Sequence, residues 1–426
     1  MKEERDEVGR MKRRILCFAL ALLMGLLSAC VMRPALPAPA PTATGAPTPA
    51  PTPTPTPEPT PCPHLSWTDG VCDDCGAVCA HEEYEDGRCV LCGHVCRHET
   101  HDARTRACTV CGMVVPHTYA HNRCTLCGEA PVFIDHILDR ELFEPCEHRG
   151  RVERLEYKTH DYMNFNGWGK DYELSKALYV YLPYGYDPAE KYDLMILLHG
   201  MGGTEQYWLA EQQDYNYPSE DYVYTTDLLD NLIDSGWCRK MIIATPCFYR
   251  YNENMGNYFR PGDEQQFLTE LREDIMPLLL KSYPTYAPEP TLEGMAAARA
   301  HFAYAGLSMG SIYAFTQFMP KCLDIFSWFG CFSGSDGNMY VLANTLNSPE
   351  NEDRPIYYFY NSIGTKDTMF VGHRGQYRDL TGAARGLTDG DNAAFTALTD
   401  LPHIYAAWST GLYNFLPVVF SLPREG

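Results

Sequence analysis

Residues 150–426 of this chain are predicted to form an α/β domain with a mainly parallel, doubly wound sheet. One observation is the continuous apolar run Leu194–Leu198, which is typical of a strand covered on both faces. A second is the alternation of further short apolar runs with helical periodicity, which indicates strand–helix–strand units. A third is the segment GLSMG at 306–310, which stands between an apolar run and a helical stretch.

The predicted strands and helices follow one another along this domain. The first two strands, at 151–158 and 177–182, are expected at an edge of the sheet. One helix, at 263–282, has an apolar stripe, with Asp263 as its expected N-cap and Gln266 as the capping-box partner. The runs that continue the sheet lie at 194–198, 241–244, 302–305, 325–332 and 356–360.

The segment GLSMG matches G-x-S-x-G, the pattern of a nucleophile elbow. An elbow requires a strand before the turn and a helix after it, and both are predicted here. The turn would lift the hydroxyl of Ser308 above the sheet at a helix N-terminus, where the helix dipole favours negative charge. Ser308 is therefore the candidate nucleophile, and a chance match with a structural serine is the alternative.

A serine nucleophile needs a base, and the base needs an acid that orients it. In this arrangement the order along the chain is serine, then acid, then histidine. Asp367 follows the predicted strand at 356–360, and His403 precedes a helical stretch, so these two are the candidate acid and base. The rival residues are His301 and His373 as bases, and Asp336 and Asp391 as acids.

A glycine-rich turn after the run Leu194–Leu198 is the candidate oxyanion hole. The turn reads HGMGG at 199–203, and its glycines allow a sharp bend that exposes backbone N–H groups. The candidate donors are the amides of Met201 or Gly202, acting together with the amide of Met309. His199 is interpreted as a structural residue of this turn.

The charge of the chain argues against one class of function. It has 34 basic and 55 acidic side chains and a net charge of −21, whereas a non-specific nucleic-acid binder needs a basic face. We therefore expect no nucleic-acid partner. Composition is also uneven, since 11 of the 18 cysteines lie between Cys62 and Cys127.

Residues 1–30 have the pattern of an export signal. Three basic residues at 12–14 precede an apolar run at 15–27, which is shorter than the ~20 residues of a membrane span. The following LSAC sequence resembles the lipobox of bacterial lipoproteins. The resemblance implies that Cys30 carries a lipid and anchors the protein outside the cell, on the bacterial cell membrane. An ordinary secretory signal or an uncleaved anchor is the alternative.

Residues 31–61 are rich in proline and threonine, with 12 of the chain's 31 prolines lying between Pro34 and Pro61. Such a segment cannot bury much apolar surface and favours an extended polyproline-II conformation. We interpret it as a linker that holds the following regions away from the membrane.

Residues 62–130 contain a Cys/His repeat. Three units share the pattern C-x-H followed by C-x-x-C-G, and a fourth has Val115 in place of its first cysteine. Three thiols and one imidazole are a ligand set for structural zinc, and metal binding would supply folding energy to units with little core. The predicted ligands are Cys62, His64, Cys72, Cys75, Cys79, His81, Cys89, Cys92, Cys96, His98, Cys108, Cys111, His117, His121, Cys124 and Cys127.

The repeat resembles zinc-ribbon and zinc-knuckle modules. A disulfide framework is the alternative in an exported protein, although 11 cysteines is an odd number and disulfides leave the recurring histidines without a role. A closed four-ligand site has no open position for substrate, so we expect a rigid stalk or an attachment role rather than catalysis.

Several motifs together resemble an esterase family that includes esterase D-type enzymes, feruloyl esterases and acetyl xylan esterases. The resemblance implies an α/β-hydrolase with Ser308 as nucleophile, His403 as base and Asp367 as its partner. The turn LPHI around His403 departs from the Gly-Gly-His turn common in the feruloyl and acetyl-xylan branch, which leaves the subgroup open. The motifs are LPYGY at 182–186, LLHGMGG at 197–203, GLSMG at 306–310, His403 with Trp408, and LYNFLP at 412–417.

The sequence thus predicts a surface-anchored serine carboxylesterase acting on acyl esters of plant polysaccharide, with no catalytic cofactor. Aromatic residues after the oxyanion turn suit stacking on sugars or on an aromatic acyl group, although packing against the sheet explains them equally well. The alternatives are an esterase for another ester, such as a siderophore lactone or S-formylglutathione, and a non-catalytic surface-binding lipoprotein.

Overall fold

The structure is a computed structural model. It describes residues 67–68, 71–72, 84–85, 88–89, 108–110, 119–120, 123–124, 130–250 and 262–421. The predicted signal with Cys30 and the predicted linker lie outside these residues. Within the described part of the chain, no helix is both long and apolar enough to cross a membrane.

The described residues of the Cys/His repeats include three short antiparallel hairpins. In each hairpin the second strand ends on the first cysteine of a C-x-x-C pair, namely Cys72, Cys89 and Cys124. In the third repeat, the amide of Val110 donates to the sulfur of Cys108 at 3.4 Å. The strands are β1 (Trp67–Thr68), β2 (Val71–Cys72), β3 (Tyr84–Glu85), β4 (Arg88–Cys89), β5 (Tyr119–Ala120) and β6 (Arg123–Cys124).

Most of the predicted zinc ligands lie outside the described residues. Cys89, Cys108 and Cys124 are described and buried, and only the backbone of Cys72 is described. The predicted ligands outside the described residues are Cys62, His64, Cys75, Cys79, His81, Cys92, Cys96, His98, Cys111, His117, His121 and Cys127.

Eight of the described strands form one sheet, in the order β16-β15-β14-β13-β9-β12-β8-β7. From β16 to β12 all neighbours are parallel, whereas β8 is antiparallel to both β12 and β7. The predicted mainly parallel sheet is therefore confirmed. The strands are β7 (Arg151–His160), β8 (Glu173–Leu182), β9 (Leu194–Leu198), β10 (Gln213–Asp214), β11 (Tyr222–Val223), β12 (Ile242–Pro246), β13 (Phe302–Leu307), β14 (Trp328–Phe332), β15 (Tyr358–Gly364) and β16 (Ala393–Leu398).

Helices cover both faces of the sheet. Successive side chains of β9 enter two different cores, with Ile196 in one and Met195 and Leu197 in the other. This two-sided burial is why the strand is apolar at every position. The helices are α1 (Thr225–Asp234), α2 (Asp263–Glu270), α3 (Met276–Ser282), α4 (Leu292–Ala297), α5 (Met309–Tyr313), α6 (Met319–Lys321), α7 (Met339–Leu346), α8 (Phe370–Ala383) and α9 (Tyr405–Phe415).

Three sequence predictions about individual elements were wrong. Strand β8 is not an edge strand, because it lies between β12 and β7. Gly262, with a φ of 99°, is the N-cap of α2, and Asp263 is the first helical residue. Gln266 does not close a capping box: its side chain accepts from the amide of Met163 at 3.1 Å and donates to a carbonyl in β7.

The sheet topology determines at which edge of the sheet a functional site can form. The carboxyl ends of β9, β12, β13, β15 and β16 meet at one edge of the sheet, because these strands are parallel. The loop at 161–172, which joins β7 to β8, stands at the same edge because β8 runs in the opposite direction. In folds of this kind, ligands bind at the carboxyl ends of the strands.

Candidate active site

Ser308 occupies the sharp turn between β13 and α5. Its φ of 49° and ψ of −112° are unusual for a residue with a side chain, which is the strain expected of a nucleophile elbow. Two backbone hydrogen bonds hold the turn: the amide of Ser308 donates to Phe332 at 2.8 Å, and its carbonyl accepts from Ile312 at 2.9 Å.

Close backbone packing around this turn explains its glycines. A Cβ on Gly310 would lie 2.6 Å from the carbonyl oxygen of His199, and a Cβ on Gly200 would lie 3.1 Å from the Cβ of Ser308. The first distance is shorter than real Cβ contacts, and the second is tighter than nine in ten of them. The elbow and the turn after β9 can therefore touch only because neither position has a side chain.

His403 connects Ser308 to Asp367. Its Nε2 lies 3.0 Å from the Oγ of Ser308, and its Nδ1 lies 2.6 Å from the Oδ2 of Asp367. The Asp367 carboxylate accepts, so the ring proton is assigned to Nδ1, and Nε2 is left to accept from the serine hydroxyl. The side chain of Asp367 is fully buried, whereas that of His403 is 35% exposed.

The carboxylate of Asp367 is held in its charged form. Burial acts to raise its pKa, but the hydrogen bond from His403 and another from the amide of Met369, at 2.9 Å, outweigh burial and lower the pKa below its usual value. A charged acid beside Nδ1 keeps the imidazole in the tautomer that can accept a proton at Nε2. Trp408 packs edge-on against the His403 ring, with centroids 5.0 Å apart, and limits its rotation.

The glycine-rich turn after β9 differs in one respect from the prediction. The amide of Gly202 donates to the hydroxyl oxygen of Tyr249 at 2.8 Å, so it is not directed at a substrate oxyanion. The amides of Met201 and Met309 have no hydrogen-bond acceptor among the described residues. These two amides are the candidate oxyanion donors, whereas the predicted donor Gly202 binds Tyr249 instead.

His199 braces this turn. Its Nδ1 donates to the carbonyl of Gly200 at 2.7 Å, and its ring stacks on Phe248 with centroids 4.1 Å apart. Burial lowers the pKa of His199 to about 3, so the side chain is neutral. These contacts agree with the structural role expected from the sequence.

The rival residues lie in other arrangements. The ring of His301 lies 2.7 Å from Asp193 near the start of β13, at the far end of that strand from Ser308. Asp336 is exposed and accepts from the amide of Gly337, and Asp391 belongs to the turn before β16. None of these has a described hydrogen bond to Ser308 or His403.

His373, the other rival base, is buried behind the site. The amide of Gly334 donates to its Nδ1 at 3.0 Å, and its Nε2 donates to the Oδ1 of Asn361 at 2.9 Å. Burial lowers the pKa of His373 to about 3, despite the opposing charge of Asp367. Both ring nitrogens are thus occupied within the protein, and the imidazole is neutral.

A cleft of about 550 Å³ opens over Ser308 and His403. Its walls include Tyr207 and Trp408, with ring centroids 6.2 Å apart, and one carboxylate, Glu211. Burial raises the pKa of Glu211, and the nearby carboxylate of Glu205 adds to the effect. The remaining residues that line the cleft are Gly200, Met201, Gly202, Gly203, Thr204 and Leu307.

Sequence reasoning missed the roles of Tyr249 and Glu211. No motif contains Tyr249, and its partner Gly202 lies 47 positions away. Glu211 stands in an irregular loop without any motif. In neither case does a local pattern point to the contact that the fold creates.

The sheet order and the position of Ser308, His403 and the glycine-rich turn at its carboxyl edge define an α/β-hydrolase fold. Among solved structures, the chain is similar to a mutant feruloyl esterase module from Clostridium thermocellum complexed with sinapinate. The TM-score is 0.55 at 25% identity, covering 70% of this chain and 97% of that one. It is also similar in fold to a ferulic acid esterase from the anaerobic fungus Anaeromyces mucronatus, with a TM-score of 0.50 at 20% identity, covering 68% and 98%.

In sequence, the chain is 34% identical over 275 residues to endo-1,4-beta-xylanase Y of Acetivibrio thermocellus. The match covers 64% of this chain and 21% of that protein, so the chain spans about a fifth of the curated relative. No family model matches the chain.

Proposed function

We propose that this protein is a serine carboxylesterase that hydrolyses acyl esters attached to plant polysaccharide, in the manner of feruloyl or acetyl xylan esterases. The observation that carries the proposal is the single imidazole of His403, whose two nitrogens lie within hydrogen-bonding distance of Ser308 and Asp367. A serine hydroxyl, a neutral base and a buried charged acid in this order are what acyl transfer requires.

In the first half of the reaction, the Oγ of Ser308 attacks the ester carbonyl while Nε2 of His403 takes the hydroxyl proton. The carbonyl oxygen becomes negatively charged and accepts from the amides of Met201 and Met309. The charge of Asp367 stabilises the imidazolium. His403 then gives its proton to the departing alcohol oxygen, the bond to that oxygen breaks, and an acyl ester on Ser308 remains.

In the second half, a water molecule attacks the acyl ester while His403 takes one of its protons. The same two amides hold the oxyanion. When the intermediate collapses, His403 returns the proton to the Oγ of Ser308, the carboxylic acid leaves, and the site is restored. The chain's own groups supply each of these steps, so the proposal invokes no cofactor.

The choice of substrate rests on the named relatives and on the cleft. The 34% identical protein is called a xylanase, and the 25% identical structure is called a feruloyl esterase module. The aromatic walls from Tyr207 and Trp408 suit a flat acyl group or a sugar ring.

The location and the N-terminal region form a further part of the proposal. A lipid on Cys30 would hold the enzyme outside the cell on the bacterial membrane, with residues 31–61 as a spacer. The Cys/His repeats would form a zinc-stabilised stalk or attachment module. Metal analysis of the purified protein, with and without reductant, tests this: intact disulfides without zinc would contradict the zinc assignment.

The experiment that tests the activity compares the wild type with Ser308→Ala on p-nitrophenyl acetate. We expect the variant to lose at least about 10³-fold in kcat. Ser282→Ala, at the exposed end of α3, is the matched control and should be fully active. Equal rates for wild type and Ser308→Ala would exclude Ser308 from the mechanism. A panel of methyl ferulate, acetylated xylan and triacetin then identifies the acyl group.

A further inference from the structure

We propose that the loop at 161–172 is a carbohydrate-binding platform, on which Trp168 stacks against a sugar of the polysaccharide whose ester is cleaved at Ser308. This inference rests on the proposed function, because it takes the ester to be polysaccharide-linked. We call residues 161–172 the platform loop.

The ring of Trp168 lies in solvent without an evident structural reason. The residue is 72% exposed, although tryptophan has a large apolar side chain that proteins usually bury for the most part. The ring of Tyr172 packs edge-on against it, with centroids 4.8 Å apart at an angle of 65°. Tyr172 therefore fixes the orientation of the indole while leaving most of its surface open.

The base of the platform loop is held by a buried charge. Asp161 is fully buried, and its carboxylate accepts from the amides of Phe165 at 3.0 Å and Asn166 at 2.9 Å. Arg250 forms an ion pair with the same carboxylate at 2.9 Å. Hydrogen bonds to a charged acceptor are stronger than neutral ones, so this end of the loop is firmly anchored.

The tip of the platform loop is also ordered by its own hydrogen bonds. The Oδ1 of Asn164 accepts from the amide of Gly169 at 2.8 Å, which bridges the residues on both sides of Trp168. Asn164 and Gly169 have positive φ angles of 54° and 108°, as a tight closed turn requires. A loop braced at its base and closed at its tip presents Trp168 in one place.

The platform loop stands at the same sheet edge as Ser308. Strand β8 is antiparallel to β12, with Leu178 opposite Pro246, so its first residue, Glu173, extends beyond the carboxyl end of β12. Between β13 and β8 lie three strand spacings, roughly 14 Å at ~4.8 Å each, and the five residue steps of β8 from Leu178 to Glu173 rise by about 17 Å beyond Pro246 at ~3.3 Å each. A polysaccharide bound over the site therefore needs several sugar units to reach the platform loop.

The chemistry of the loop fits a sugar better than a protein. Pyranose rings offer flat C–H faces that pack on aromatic rings, together with hydroxyls around their edge. Lys170 and Asp171 are exposed beside Trp168 and supply a donor and an acceptor for such hydroxyls. A stable protein interface buries ~800 Å² on each partner, which is more than one indole and its neighbours present.

The first test measures binding without hydrolysis. Ser308→Ala and Ser308→Ala/Trp168→Ala are run in native gels that contain soluble xylan. We expect the double variant to bind about threefold to tenfold more weakly, as the loss of one aromatic stacking partner implies. The control adds Tyr184→Ala to Ser308→Ala, because Tyr184 is 46% exposed and lies beyond the other end of β8.

The second test separates the platform from the catalytic centre. In the active protein, which retains Ser308, Trp168→Ala should raise KM severalfold on acetylated or feruloylated xylan. It should leave kcat/KM on p-nitrophenyl acetate unchanged. Trp168→Phe should restore part of the binding. Equal xylan retardation of the two inactive variants, or an unchanged KM on the polymer, would overturn the platform. An active Ser308→Ala protein would instead overturn the proposed function.

Discussion

His403 and His373 both act to lower the pKa of Asp367, yet their surroundings differ in nearly every other respect. His403 lies on the rim of a cleft, with 35% of its side chain exposed and its Nε2 facing a serine hydroxyl. His373 is 1% exposed, and its two nitrogens bind a backbone amide and the Asn361 side chain. The Nε2 of His403 thus faces a hydroxyl at the cleft, whereas both ring nitrogens of His373 are occupied in the interior.

The comparison teaches that the partners of an imidazole decide its function more than its distance from a carboxylate does. Nδ1 of His373 accepts from Gly334, so this ring nitrogen cannot take a further proton without breaking that bond. Protonation would also place a charge in a fully buried site, which is costly. His373 instead supports the segment after β14, which packs against the Ser308 turn.

We expect the largest effect when each of the two histidines is replaced. His403→Ala should lower kcat on p-nitrophenyl acetate on the order of 10⁴- to 10⁶-fold, because the base is lost. His373→Ala should lower it by less than about tenfold, since it changes only the support of the elbow. Similar losses in the two variants would show that the histidines act as one unit.

Asp367→Asn should have the next largest effect. An amide that donates to Nδ1 would turn the imidazole into the wrong tautomer, and a loss on the order of 10²- to 10⁴-fold in kcat follows. Asp336→Asn is the matched control, because Asp336 is exposed and its carboxylate accepts from the neighbouring amide of Gly337. If Asp336→Asn were the more damaging change, the assignment of the acid would be wrong.

The pH dependence of the free energy of unfolding gives a further test of whether His373 is neutral. His373 has a pKa of about 3 in the folded protein against 6.5 for an ordinary histidine, so the unfolded state binds one more proton between these values. Stability therefore falls as pH drops below 6.5, by up to about 1.4 kcal/mol per pH unit from this residue.

Urea unfolding at several pH values from neutral to mildly acidic tests this prediction. His373→Ala should be less stable at neutral pH, because Gly334 and Asn361 lose a partner, but its stability should decline less steeply with acid. Parallel curves for His373→Ala and the wild type would mean that His373 is not held neutral.

Tyr249→Phe should have the smallest effect. Phenylalanine keeps the ring but removes the hydroxyl that accepts from Gly202, which loosens the oxyanion turn. One neutral hydrogen bond contributes ~1 kcal/mol, so we expect about a fivefold lower kcat on p-nitrophenyl acetate with KM unchanged. Tyr222→Phe, at an exposed residue, is the control. A rise in KM alone would place Tyr249 in substrate binding instead.

The sequence predicted those parts of the molecule that depend on local patterns. Ser308 could be found because the elbow requires glycines at fixed spacing between a strand and a helix. Asp367 and His403 could be chosen because each follows the end of a strand or precedes a helix, and the fold brings them within hydrogen-bonding distance of each other. The apolar run Leu194–Leu198 likewise forms a strand with the same bounds.

Other features depend on contacts between distant segments and could not be predicted. Strand β16 was not predicted, since its sequence AAFTAL has small residues and no clear alternation. The position of β8 inside the sheet follows from pairing with β12, about 65 residues later. The hydrogen bond from Gly202 to Tyr249 likewise exists only once β9 and β12 are neighbours.

The loops that carry the acid and the base are joined to each other. The amides of Thr365 and Lys366 donate to the carbonyls of Leu398 and Leu401, at 2.8 and 3.1 Å, and a methyl group on Gly364 would overlap the Leu401 oxygen. A chimaera that takes only one of these loops from a relative would therefore lose the fit and the hydrogen bonds between the two loops. The segment from β15 to α9 should therefore be exchanged as a whole.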